Sequence, residues 1–180
     1  MAKYKAYPEY KDSGVEWLGE IPNHWKTISL SRFFSRTKRT GYTEKELLSV
    51  YREYGVIPKS SRDDNNNQPS EDLSPYQLVQ PNDLVMNKMK AWQGSIAISG
   101  YEGIVSPAYF IYQPNKSLFE LAYPKYVHYL LRNPIYVTQY LSLSKGIRIN
   151  QWDLDPDKFR KIELLLPGKM EQYKIINFLD

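Results

Sequence analysis

A mixed α/β (α+β) fold is what this 180-residue chain predicts, and three features of the sequence predict it. Short apolar runs with strand-like alternation, separated by Gly, Pro and Asn, dominate the first two thirds of the chain. Beyond Pro124 the apolar period becomes helical, and prolines stand where first helical turns begin. The run Ile162-Glu163-Leu164-Leu165-Leu166 then returns to a strand before a last helical segment.

The elements follow in order. Residues 1–14 read as an arm, with a short helical stretch near Val15 to Leu18. Ile21-Pro22 forces an extended entry, and residues 25–30 (WKTISL) alternate like a half-buried strand. Gly41 breaks the chain before the apolar run LLSVY at 47–51. Residues 58–75 (PKSSRDDNNNQPSEDLSP) bury almost nothing, so they form a long solvated loop, either mobile or functional. Within it, Asn65, Asn66 and Asn67 are either disordered or a probe of a nucleic-acid groove.

Leu84-Val85-Met86 is a short strand and residues 95–99 (SIAIS) another. Gly100-Tyr101-Glu102-Gly103 reads as a turn into Ile104-Val105, and that spacing describes a hairpin. Pro107 places a bend in the returning strand. Pro124 opens a helix carrying Tyr126, Val127, Leu130 and Leu131, and Asn133-Pro134 opens the next, which Gly146 ends. Asp155-Pro156 reads as an N-cap and first helical residue. The final helix sets Met170, Tyr173, Ile176 and Leu179 on one face.

A chain of this size forms one domain and can bury roughly two thirds of its unfolded surface. It has no cysteine, which excludes disulfides and thiolate metal sites. No apolar run approaches a spanning helix and the N-terminus lacks an apolar leader core, so a soluble, cytoplasmic protein is expected. The 24 Lys and Arg against 20 Asp and Glu permit nucleic-acid binding without demanding it. Sixteen tyrosines suit a surface that reads polar partners with flat, amphipathic rings.

The distribution of charge says more. Between Asp83 and Glu102 stand Lys88 and Lys90 and no acid, interleaved with Asn87, Trp92 and Gln93. Cations beside an aromatic ring and amide side chains hold a phosphate backbone and touch base edges. On a strand, Lys88, Lys90 and Trp92 share a face; the structural reading of the same run is two solvated lysines and a core tryptophan. A second cluster, Lys145, Arg148, Asn150 and Gln151, is expected on a loop after Gly146. There Arg forks onto guanine, and Asn or Gln onto adenine, in a major groove; the alternative is that Asn150 and Gln151 cap the following helix. Arg32, Arg36, Lys38 and Arg39 lie in an acid-free stretch that suits phosphates or, equally, solvent. Trp152, His24 and His128 are expected to be structural.

Four strings carry a resemblance. NKMKAWQG (87–94), GIVSPAY (103–109), WLGEIPNHW (17–25) and GIRINQWDLDPDKFRKIELLLP (146–167) are similar to strings in one family of protein domains. These are the target recognition domains of Type I restriction-modification specificity (S) subunits. The resemblance covers nearly the whole chain, in the expected order. It implies an α/β domain with a twisted or partly closed sheet and flanking helices, residues 15–167, followed at 168–180 by the start of a spacer helix. It also implies duplex DNA as ligand and, as partners, methyltransferase (M) and restriction/translocase (R) subunits. Two other readings stay open: the recognition end of a fused restriction-methylation enzyme, and an S fragment that only contacts protein.

Catalysis finds no support in the sequence. NPIY (133–136) departs from base-holding NPPY-type motifs at Ile135, and no glycine-rich loop for S-adenosylmethionine accompanies it. Pro156-Asp157 with Glu163 mimics a nuclease motif, but Leu165 stands where its lysine belongs. No phosphate loop, Ser-His-Asp string or metal cluster is recognisable, so no cofactor and no catalytic residue are expected.

Overall fold

The structure, a computed structural model, describes residues 7–61, 72–148 and 151–180. The expected Asn65 to Asn67 loop tip lies outside the described residues.

The centre is an antiparallel four-stranded sheet, ordered β4 (Phe34–Thr37), β11 (Tyr109–Pro114), β8 (Leu84–Asn87), β9 (Ile96–Ile98). Both faces of this sheet are buried, which is why β8 and β11 read as near-continuous apolar runs. Leu84, Met86 and Tyr112 face the larger core, while Val85, Ala97 and Ile111 face a second cluster with Leu48, Val50 and Val56. Those last three come from the hairpin β5 (Leu48–Tyr51) and β6 (Gly55–Pro58). The larger core is completed by α2 (Lys116–Leu121), α3 (Pro124–Leu131), α4 (Pro134–Ser142) and α5 (Pro156–Phe159). The mixed α/β class is borne out, though as one central sheet with several two-stranded pieces.

Two of these pieces join distant parts of the chain. β1 (Tyr10–Asp12) pairs with β2 (Glu20–Pro22), so the end of the expected arm is strand. β3 (Lys26–Ser29) pairs with β14 (Glu163–Leu166), Ile28 opposite Leu164. α1 (Leu30–Phe33) follows β3 directly, and α6 (Lys169–Leu179), after β14, packs against α3.

The expected prolines act as predicted. Pro124, Pro134 and Pro156 each open a helix, and the side chains of Asn133 and Asp155 accept from the backbone N–H two residues on.

Three expectations are corrected. Residues 95–105 do not form a hairpin: β9 pairs with β8, whereas β10 (Gly103–Val105) pairs with β7 (Gln77–Val79). The reason sits at Gly103, where an added Cβ would lie 2.5 Å from the Glu46 carbonyl oxygen. That close approach lets Ile104 N–H bond Glu46 O and carries the chain away from β9. Gly146 does not end α4, which stops at Ser142; it lies inside β12 (Ser144–Arg148). On α6 the buried residues are Ile176 and Gln172, whereas Met170, Tyr173 and Leu179 are exposed. Gln172 is held inside because its amide bonds Leu121 O and Pro167 O and accepts from Tyr123 N–H.

His24 and Trp25 of the WLGEIPNHW string both reach Glu171 of α6, at 2.9 and 3.1 Å, and the Tyr7 hydroxyl donates to the same carboxylate. These donors hold the Glu171 carboxyl below its ordinary pKa against the opposing effect of its burial. Trp17 packs edge-on against Tyr136 at 4.9 Å. The string fastens the N-terminal segment to the domain, as its composition suggests.

Candidate nucleic-acid interface

The first cluster is not a continuous strand. β8 ends at Asn87, and residues 88–90 turn into a short 3-10 helix, Ala91–Gln93. The Asn87 side chain builds this turn by accepting from Met89 N–H at 3.1 Å. Lys88, Lys90 and Trp92 therefore do not alternate on one face. Ala91 is the buried member, Lys90 and Gln93 are exposed, and Lys88 is half-buried. Gly94, at φ 99°, closes the turn in a conformation that favours glycine.

The second cluster lies on a hairpin rather than a loop. β12 pairs antiparallel with β13 (Gln151–Leu154), with a register shift between Gly146 and Arg148. A bulge of this kind locally bends the strand that carries it. Lys145 is exposed on β12, opposite Asp153. Arg148 pairs with Gln151 through the backbone; their side chains, and Asn150, lie outside the described residues.

The fold brings these two clusters together. Leu154 N–H donates to Lys88 O at 2.9 Å. The Trp92 and Trp152 rings meet edge to face, centroids 4.8 Å apart, a geometry worth about 1 kcal/mol beyond its buried area. Trp92 Nε1 donates to Met89 O, so its ring also braces the lysine turn. Gly146 leaves room for Trp152: a Cβ there would stand 3.2 Å from the indole nitrogen. Both tryptophans are thus packing residues that join a cationic turn to a polar hairpin.

The basic stretch after Phe34 divides. Arg36, exposed on β4, lies 4.1 Å over the Phe110 ring, and Lys88 Nζ stands 5.8 Å from the same ring. Phe110 on β11 therefore gathers cations from β4 and from the turn after β8, on one rim of the sheet. Lys38 is exposed. Arg39 is turned inward: its guanidinium bonds Asp83 at 2.9 Å, Leu78 O at 3.1 Å and Gln113 at 3.2 Å. Asp83 is almost wholly buried, so Arg39 is committed to balancing it.

Phe110 was not singled out by sequence reasoning. Its one signal is a large aromatic on a strand position that alternates toward the core yet ends at a rim.

Away from this rim, His128 on α3 is half-buried, and its Nδ1 accepts from Ile98 N–H at 3.1 Å. Burial, with Arg132 and Lys125 nearby, holds its pKa down to about 4. It is structural, as expected. Among the described residues no group of His, Asp and Glu is arranged to hold a metal ion, and no helix is long and apolar enough to cross a membrane.

No family model matches the sequence, and no curated protein matches it. Solved structures do. The Type I restriction-modification S subunit from M. genitalium superposes with a TM-score of 0.56 at 14% identity, over 86% of this chain and 38% of that one. This chain shares the specificity-subunit fold. The HsdS subunit from Thermoanaerobacter tengcongensis gives a TM-score of 0.53 at 17% identity, over 95% of this chain and 39% of its own. A structure described as showing complex assembly and conformational transition of the type I R-M system gives 0.52 at 15% identity, over 89% and 38%. The chain spans under two fifths of the length of each. The likeness suggested by the four strings is borne out in the fold.

Proposed function

We propose that this chain is a non-catalytic DNA-recognition domain of a Type I restriction-modification specificity subunit, reading one half of a split target in duplex DNA. The observation that carries the reading is the joining of the Lys88–Lys90 turn to the β12–β13 hairpin through Trp92, Trp152 and the Leu154–Lys88 hydrogen bond. These contacts hold side by side two segments whose residue types suit phosphates and base edges, on a fold shared with specificity subunits.

In this reading Lys88, Lys90, Arg36, Lys38 and Lys145 position the duplex through phosphates, while Gln93, Arg148, Asn150 and Gln151 discriminate bases. Asn87 acts through the turn it shapes. Arg39 contributes by fixing β4 against β8 rather than by touching DNA. Residues 15–167 form the recognition unit, and 168–180 begin a spacer helix. Methylation and cleavage reside in M and R subunits that the domain directs, in the cytoplasm. No residue of this chain supplies chemistry to either reaction.

The test is selection from a randomised duplex pool at two salt concentrations, with and without the M subunit. A short enriched motif whose retention weakens with salt is the expected result. No enrichment with M present would reject DNA recognition and leave a protein-contact role.

A further inference from the structure

Next to the Phe110 rim, β4, β11 and α5 enclose a cleft of about 490 Å³. Arg36, Tyr112, Asp157 and Arg160 line it. Tyr112 is only 2% exposed, and its hydroxyl is the one buried side-chain polar atom among the described residues with no hydrogen-bond partner. Leaving such a group unpaired costs about 1–3 kcal/mol, so a bound partner is the economical explanation. The neighbouring serines are engaged elsewhere, Ser31 with Ser29 and Ser35 with Asn115. Arg36 and Arg160 have no carboxylate within ion-pair distance among the described residues. A water would satisfy the hydroxyl alone, whereas an anion would satisfy it and also offset the excess of two exposed guanidinium groups over the single Asp157 carboxylate.

We propose that this cleft holds a phosphodiester group, gripped by the Arg36 and Arg160 guanidinium groups and accepting a hydrogen bond from the Tyr112 hydroxyl. Guanidinium forks match phosphate oxygens, and charge-assisted bonds of this kind are the strong ones. Asp157 sets the charge. Two cations against one carboxylate leave a single positive charge, which suits a monoanionic diester and disfavours dianionic phosphate. The hydroxyl remains a donor at neutral pH, since burial pushes its pKa up to about 12 while Arg36 and Asp157 pull in opposite directions. The source of the diester is the DNA backbone, because Phe110 sits under both Arg36 and Lys88 and so joins the cleft to the reading surface. That last step rests on the DNA-recognition reading; the chemistry of the cleft does not.

The experiment has two arms, each on the chain and on Tyr112→Phe, Arg160→Gln and Lys88→Ala. In the first, dimethyl phosphate is titrated to ~50 mM at constant ionic strength, a range set by so small a ligand, while arginine Nε–H resonances are followed. In the second, duplex DNA binding is measured with the M subunit present. Dimethyl phosphate should shift two arginine signals, and Tyr112→Phe and Arg160→Gln should weaken that response and the DNA affinity by about tenfold each, with Lys88→Ala sparing the first. Tyr112→Phe alone should leave unliganded Tm equal or higher, because it removes an unpaired group; a lower Tm would overturn the orphan hydroxyl. No shift with dimethyl phosphate, or an equal shift in Tyr112→Phe, overturns the cleft as a diester site whatever DNA does. A response to dimethyl phosphate with unchanged DNA affinity in both cleft variants overturns the backbone as its source. If the chain takes dimethyl phosphate but binds no DNA, the recognition reading fails and the cleft survives it.

Discussion

His128 gives the stability of this domain a specific pH signature. Its ring is half-buried against β9, with Nδ1 accepting from Ile98 N–H, and partial burial holds its pKa at about 4 rather than 6.5. The unfolded chain therefore takes up this proton before the folded one does. The stabilisation is fully present above pH 6.5, declines as pH falls toward 4, and is gone below. A shift of this size is worth about 3 kcal/mol in total, of which about 2 kcal/mol is lost between pH 7 and pH 5. Urea unfolding followed by tryptophan fluorescence at constant ionic strength measures this directly. His128→Asn is the control: its amide oxygen falls near the Nδ1 position and accepts the same bond, but it does not titrate. The variant should start less stable, by about 1–2 kcal/mol for the lost ring packing. Its curve should then stay nearly flat from pH 7 to pH 5. Curves that run parallel for the two proteins would refute the half-buried neutral histidine as the cause. Glu171 and Asp180, whose pKa values are lowered, add a loss in both proteins only at more acid pH.

Other outcomes follow from the same residues. Lys88→Ala and Lys90→Ala should weaken binding to every duplex and flatten the log–log salt dependence by about 0.9 for each phosphate no longer neutralised; unchanged slopes would remove both lysines from the interface. Arg148→Ala or Gln151→Ala should relax selection at one base pair by ~1–3 kcal/mol, and equal losses on cognate and scrambled duplexes would reject base readout. Arg39→Ala should destabilise the domain by about 3 kcal/mol, since it leaves Asp83 charged and buried, a loss readable in urea midpoints. A double-mutant cycle on Trp92→Ala and Trp152→Ala should return about 1 kcal/mol of coupling in stability, and additive losses would mean that turn and hairpin are not joined.

Much of the fold was legible where local chemistry decides it. Proline at the first helical position and Asn or Asp before it mark α4 and α5 correctly, because a cap is a contact between residues two apart. Strands β8 and β14 were readable because both are almost entirely apolar. The rest depended on residues far away in sequence. Nothing in Gly100 to Val105 reveals that Gly103 must admit the Glu46 carbonyl, so the strand pairing of β10 with β7 was hidden. The stretch SKGIRINQW lacks alternation, and only the Trp152 ring folded over Gly146 explains a hairpin there. At the interface, residue types pointed to two clusters, but their union needed Leu154 and the two tryptophans. Arg39 looked like its neighbours until Asp83 was found beneath it. Phe110, Tyr112 and Arg160 carried no signal of charge pattern or spacing.

The pairing of β3 with β14, and the convergence of Tyr7, His24 and Trp25 on Glu171, bear on how the chain is made. Both link segments separated by more than 130 positions, the longest loops the domain has to close. Pairings of that span form slowly because chain entropy is lost before any bond rewards it. During synthesis the central sheet has all its strands once β11 has emerged, whereas β3 waits for residue 163 and beyond. A nascent chain therefore carries an unpaired β3 edge and an unanchored Trp25 until α6 has left the ribosome. That interval is when the domain is most open to aggregation, and when translation speed through residues 163–171 has most influence on yield.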